Sequence, residues 1–223
     1  MVDSDTLNSN VVKASKDFKD GTFFIVGGGN SLQKEYLPLI NPDNIIAINS
    51  SVYHLKKCHS LFAMDIKWVK RNKEKVKKNV EVKNSFIISR MKHKEQGFIH
   101  IDKKYPSMDY HIVDPTYSAR GNNTGCGVIR FLDNVGAKKV FLMGFDCKVI
   151  DNRTHFHNYY KSSNPGTTKI YQNMFIPCFN KLYENLNTLE VYNCYGGSDL
   201  PFEYVNIDEV YSDKTNRSLF VKQ

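Results

Sequence analysis

The 223-residue chain predicts an α/β fold, a Rossmann-like and mostly parallel sheet with helices on both faces and a lid-like insertion. Three observations predict it. Short apolar, β-branched runs alternate with stretches of helical periodicity. The first apolar run breaks into Gly27-Gly28-Gly29 and then Asn30-Ser31, as a strand turning into a ligand-binding loop would. Two long polar segments, Met91 to Arg120 and Cys147 to Lys169, each follow a predicted strand, on the edge where open sheets bind ligands.

Thr22–Val26 is aromatic and β-branched, so it reads as a buried strand. After the glycines, Asn30 or Ser31 is expected to cap a helix near Leu32–Pro38 whose N–H groups would form an anion site. A tight turn without a ligand is the structural alternative. Further strands are expected at Asn44–Ile48, Ser60–Met64, Ser85–Ser89, Lys139–Met143 and Leu189–Tyr192. Helical stretches are expected near Val52–Lys57, Ile66–Lys77, Asn123–Asn134 and Ile170–Asn185. The third glycine of the dinucleotide fingerprint would fall on Leu32, and no Gly-Lys-Ser/Thr follows, so neither the G-x-G-x-x-G motif nor a P-loop is present.

Composition bounds the rest. A length of 223 residues, 41% of them hydrophobic and 24% charged, suits one globular domain with a substantial core. The expected division is an N-terminal extension over 1–20, a nucleotide- or nucleotide-sugar-binding domain over 21–211, and a tail over 212–223. No apolar run reaches membrane-span length and Met1 to Lys19 has no signal-like stretch, so a cytoplasmic protein is the default expectation. Five scattered cysteines without a C-x-x-C pair point to reduced, mostly buried thiols. Much of the net charge of +8 sits between Lys67 and Lys78, as a solvated helix face or as a surface for an anionic partner. The abundance of Lys, Asn, Ile and Tyr also fits an AT-rich genome.

Polar residues at strand ends supply the candidate site. Asn49 and Ser50 follow the second strand and Asp65 the third, although a lone Asp there is often a helix cap. Thr124 and Gly125 open a predicted helix, where they either admit a nucleobase, ribose or phosphate or simply let the helix pack tightly. Asp146 lies just past a strand ending in Gly144. His155 and His157 are spaced for one face of an extended segment. They are candidates for a general base, while Tyr159 and Tyr160 offer hydroxyls to a phosphate. An H-x-H pair also suits zinc, but no third ligand has convincing spacing, so no metal site is assigned. The bland alternative is that both histidines only order the loop.

Taken in order, these motifs resemble a family. Phe24-Ile-Val-Gly-Gly-Gly-Asn-Ser-Leu32 is similar to the G-x-G-P-S-L opening of the bacterial sialyltransferases of glycosyltransferase family forty-two. It is similar too to the opening of the related domain family that contains archaeal 6-hydroxymethylpterin diphosphokinase and flagellin-glycosylation proteins. Asn49 matches the Asn after the second strand, Thr124-Gly125 the T-S-G segment, and Val140 to Asp146 the strand ending in G-I-D. Asn193-Cys194 through Ser198 and Leu200 resembles the C-terminal C-P-N-S-L-L. Three departures stand out: Asn30 replaces the turn proline, C-P-N-S-L-L becomes Cys194-Tyr-Gly-Gly-Ser-Asp-Leu200, and the insert carrying the histidines is shorter than the family's lid.

The resemblance implies a glycosyltransferase that moves a sugar from a nucleotide-activated donor, CMP-linked by analogy, to a hydroxyl acceptor, with no cofactor required. Gly27, Gly28, Gly29, Asn30, Ser31, Asn49, Ser50, Asp65, Thr124, Gly125 and Asp146 would hold the nucleotide, and His155, His157, Tyr159 and Tyr160 would carry the chemistry. The acceptor would be a glycan, a lipid-linked sugar, a protein or nucleic acid. One rival is a diphosphokinase-like enzyme using ATP and magnesium, with Asp65 and Asp146 on the metal. Another is a non-catalytic nucleotide or nucleic-acid binder using the lysine-rich face.

Overall fold

A computed structural model of the chain describes residues 11, 13–89, 97–102, 123–151, 153 and 165–221. Its centre is one eight-stranded sheet of β1 (Thr22–Val26), β2 (Ile45–Ile48), β3 (Lys57–Ala63), β4 (Glu81–Ser89), β5 (Ile99–Asp102), β6 (Lys139–Met143), β7 (Glu190–Asn193) and β8 (Glu203–Tyr204). The order is β5-β4-β3-β2-β1-β6-β7-β8, and every pairing is parallel. The chain therefore winds outward in one direction from β1 to β5, then crosses back to β6 and winds the other way. Between β1 and β6 lies the topological switch point, where the loops leaving two adjacent strands part and open a crevice.

A parallel sheet must be covered on both faces, and the strand side chains divide accordingly. Phe23 and Ile25 of β1 join Ile46, Phe62, Phe86, Val140 and Leu142 on one face. That face is covered by α2 (Thr124–Asn134) and α4 (Ile176–Glu184). Phe24 and Val26 join Ile45, Ala47, Leu61, Ile87 and Phe141 on the other. There α1 (Ile66–Asn79) and α5 (Ile207–Ser212) complete the packing. Phe18 is fully buried, edge-on to Phe131 and His59, and Leu219 and Phe220 are buried on the opposite face.

Two short predicted helices take another form. The stretch expected as a helix over Leu32–Pro38 holds only a three-residue 3-10 turn, Lys34–Tyr36. Six residues between a glycine turn and Pro38 are too few to offset the cost of helix nucleation. Leu32 and Leu37 are instead buried separately, and Ile40 bridges to Phe220. The stretch Val52–Lys57 is likewise a 3-10 turn, Asn49–His54, followed directly by β3. Ser51 sets that turn: its hydroxyl accepts from the Ile48 N–H at 2.9 Å and donates to the Val26 carbonyl at 2.7 Å. The helix predicted over Ile170–Asn185 begins earlier, as α3 (Pro165–Ile170), and passes through a π-helical turn at Tyr171–Phe175 into α4. β5 lies inside a segment expected to be irregular.

Candidate functional site

At the switch point β1 and β6 leave the sheet together. Gly27 N–H donates to the Met143 carbonyl and Gly29 N–H to the Gly144 carbonyl, both at 2.8 Å, so the glycine turn continues the β1–β6 pairing. A Cβ on Gly27 would lie 2.6 Å from the Gly144 oxygen and 2.9 Å from the Phe145 ring. Gly144 itself has φ +71°, a left-handed angle that disfavours a side chain. These glycines let two turns lie against each other.

What fills the crevice is the chain's own carboxyl group. Asp146, 1% exposed, accepts from the Ser31 N–H on both oxygens at 3.1 Å, from the Asn30 N–H, and from the Ser31 hydroxyl. Burial raises the Asp146 carboxyl above its ordinary pKa, while the Ser31 and Asn30 donors and Lys148 pull it down. A Cβ on Gly29 would lie 2.6 Å from this carboxyl. The N–H groups expected to form an anion site thus surround Asp146, and with no α-helix behind the turn there is no helix N-terminus there. Nor does Asn30 cap a helix. Its amide donates to the carbonyls of Ile150 at 3.2 Å and Arg153 at 2.9 Å, tying the turn to the segment that runs on toward the histidines.

Beside this latch, the end of β2 meets the start of α2. Asn49 has φ +49°, in the left-handed region where Asn is among the better-tolerated residues. Its amide nitrogen donates to the Thr124 hydroxyl at 3.4 Å. Its Oδ1 is buried and has no hydrogen-bond partner among the described residues. Thr124 is buried as the first residue of α2, whose cap is Asn123: the Asn123 Oδ1 accepts from the Cys126 N–H at 2.9 Å. Gly125 has a packing role, since a Cβ there would sit 2.6 Å from the Phe145 ring.

Other candidates are engaged elsewhere. Ser50 accepts the Trp68 indole N–H at 2.9 Å. Asp65 is the exposed N-cap of α1 and accepts from the Lys67 N–H at 2.8 Å. Among the described residues no three His, Cys, Asp or Glu side chains gather as metal ligands. His155, His157, Tyr159 and Tyr160 lie outside the described residues. None of the five cysteines forms a disulfide. Burial pushes the Cys58, Cys147 and Cys194 thiols up to about 12.

Three groups at this edge carried no role in the residue-by-residue reading. Asn193 and Ser198, noted only through the C-terminal resemblance, both donate to the Phe145 carbonyl, at 3.4 and 2.8 Å, and so brace the turn that carries Asp146. Tyr171 is buried in the π-helical turn, its hydroxyl raised to about 12 by burial first and then by Cys147 and Asp146. Sequence reading had only its place in a helical pattern, although π-helical turns are frequent at functional sites.

No protein-family model and no curated protein sequence matches the chain. Among solved structures it is similar to the MAf glycosyltransferase of Magnetospirillum magneticum AMB-1, at 14% identity and TM-score 0.51, over 96% of this chain and 42% of that one. It is also similar to the monofunctional alpha-2,3-sialyltransferase Cst-I of Campylobacter jejuni, at 16% identity and TM-score 0.47, over 91% and 88% of the two chains. A third match is the Campylobacter jejuni sialyltransferase CstII in complex with CMP-3FNeuAc, at 13% identity and TM-score 0.44, over 83% and 86%. At 14% identity the Magnetospirillum likeness speaks for the shared fold, and this chain spans less than half of that protein.

Proposed function

We propose that the chain is a glycosyltransferase that takes its sugar from a nucleotide-activated donor, CMP-linked by the resemblance of its motifs, and passes it to a hydroxyl acceptor. The observation that carries this reading is Asn49. A buried amide oxygen without a donor costs about 1–3 kcal/mol, and here it stands at the carboxyl edge beside the switch point. A ribose hydroxyl or a base amino group would supply that donor, with the Thr124 hydroxyl as a second contact.

In this reading the glycine turn acts through shape. Asn30 and Ser31 hold Asp146 against the glycine turn, and the nucleotide lies along the wall they form. His155 or His157 removes the acceptor proton, and Tyr159 and Tyr160 steady the leaving phosphate. The reaction runs without a divalent ion. Asp65 caps a helix and the Asp146 carboxyl is taken up by the turn, which favours sugar transfer over the diphosphokinase-like alternative.

A thermal-shift panel of CMP, UDP, GDP and ATP, with and without magnesium, tests this. CMP should raise the melting temperature with no need for magnesium, because a ligand that binds only the folded state stabilises it by mass action. Asn49→Ala should weaken CMP roughly tenfold, near the upper end of what one neutral hydrogen bond contributes net. Stabilisation by ATP with magnesium alone, or full CMP affinity in Asn49→Ala, would refute the assignment.

A further inference from the structure

The chain's positive charge is concentrated in one element. α1 holds Lys67, Lys70, Arg71, Lys73, Lys75, Lys77 and Lys78 against the single carboxylate Glu74, a net +6 in 14 residues out of +8 for the whole chain.

The helix also divides cleanly. Its apolar face, Trp68, Val69 and Val76, is spent on the core. Opposite, at helical spacing, Lys67, Arg71, Glu74 and Lys78 form an exposed line about 17 Å long, flanked by exposed Lys70, Lys75 and Lys77. The geometry points to α1 as a docking face for an anionic lipid surface, held by charge alone and without insertion.

The side chains favour lipid over nucleic acid. Six of the seven cations are lysines, compact point charges that suit a fluid array of headgroups; only one is an arginine, whose planar fork reads phosphates and bases bidentately. The helix's one aromatic ring, Trp68, is buried and bonded to Ser50, so it offers no platform for stacking a base. Trp68, Val69 and Val76 are buried and Ile66 packs against the same core, so attachment rests on charge and must be reversible by salt. The helix starts at the carboxyl edge, just past β3, so docking would bring that edge alongside the lipid plane.

The test needs no turnover, and so stands or falls apart from the sugar-transfer reading. The full chain is sedimented with phosphatidylcholine vesicles and with vesicles carrying about 30% phosphatidylserine, at low and high salt. Binding should appear only with the anionic vesicles and disappear in high salt. The variant K67Q/R71Q/K78Q, its fold checked by circular dichroism, should lose on the order of 100-fold in partitioning, at roughly fivefold per charge. The variant K13Q/K181Q/K214Q removes the same charge from exposed positions elsewhere and should bind nearly as the parent does. Equal loss in both variants would reduce the effect to net charge. Binding that survives high salt, or preference for duplex DNA over the anionic vesicles through the same three residues, would overturn the proposal.

Discussion

Gly29→Ala is the sharpest perturbation of the switch point. Gly29 does not use a left-handed backbone angle, so alanine can adopt the same backbone and the cost is steric alone. The new methyl would stand 2.6 Å from the Asp146 carboxyl carbon and one of its oxygens, where ordinary contact begins near 3.4 Å, so the two groups must part by about 0.8 Å. That movement stretches the 3.1 Å bonds from the Ser31 N–H beyond hydrogen-bond range. Overpacking costs about 1–3 kcal/mol, and weakening the donors to a buried carboxyl adds about 2 kcal/mol, for a loss of about 3–5 kcal/mol. In a domain of this size that lowers the melting temperature by roughly 6–20 °C. Urea unfolding of Gly29→Ala, Asp146→Ala and the double variant forms a cycle that isolates the contact. In the Asp146→Ala background the glycine substitution should cost under about 1 kcal/mol, because the clash is gone. Wild-type stability in Gly29→Ala, or the same loss in both backgrounds, would refute the reasoning.

Asp146→Asn should also change the pH dependence of stability. Burial raises this carboxyl, so the folded chain binds its proton more tightly than the unfolded chain. Stability from this group therefore declines as pH rises from the ordinary carboxylate value through the raised folded value, and the slope should be absent in the Asn variant. Parallel unfolding profiles for the two proteins across that range would contradict it. Asp65→Asn should leave stability within about 0.5 kcal/mol, since Asn caps a helix as well as Asp, and turnover should persist in both the variant and excess EDTA. Loss of turnover under either treatment would restore a metal-binding role. Replacing His155 or His157 by Ala should, at one of the two positions, cut turnover by about 10²–10⁴ with nucleotide affinity nearly intact, and the pH–rate profile should fall on the acid side. Near wild-type turnover in both variants would place the base elsewhere.

The long elements were legible because their patterns repeat. β1 and β6 appear with the expected bounds, since a five-residue run of Phe, Ile, Val and Leu buried on both faces has few alternatives. α1 and α2 announced themselves by apolar residues at helical spacing. The short pieces were not legible. Asn49–His54 is tightened into a 3-10 turn by a partner distant in sequence, Val26 for Ser51, and the turn that leads into Lys34–Tyr36 is held by Asp146 through Ser31. β8 is two residues long and exists only because β7 lies beside it.

The candidate site divides along the same line. Which residue types stand at the carboxyl edge follows from strand ends alone, and Gly27 to Ser31, Asn49, Thr124 and Asp146 could be named from the linear order. Their roles could not. A glycine-rich turn looks the same in sequence whether its N–H groups face a phosphate or a carboxylate 115 residues away. Asp65 is only a carboxylate after a strand in the linear order, and the tertiary structure is what shows its Oδ1 accepting from the Lys67 N–H. Strand and helix periodicities are local, written into neighbouring residues by backbone geometry. The partner of a polar atom is set by which loops the sheet order brings together, and only the β1–β6 crossover decides that Asp146 meets Ser31 while Asn49 meets Thr124.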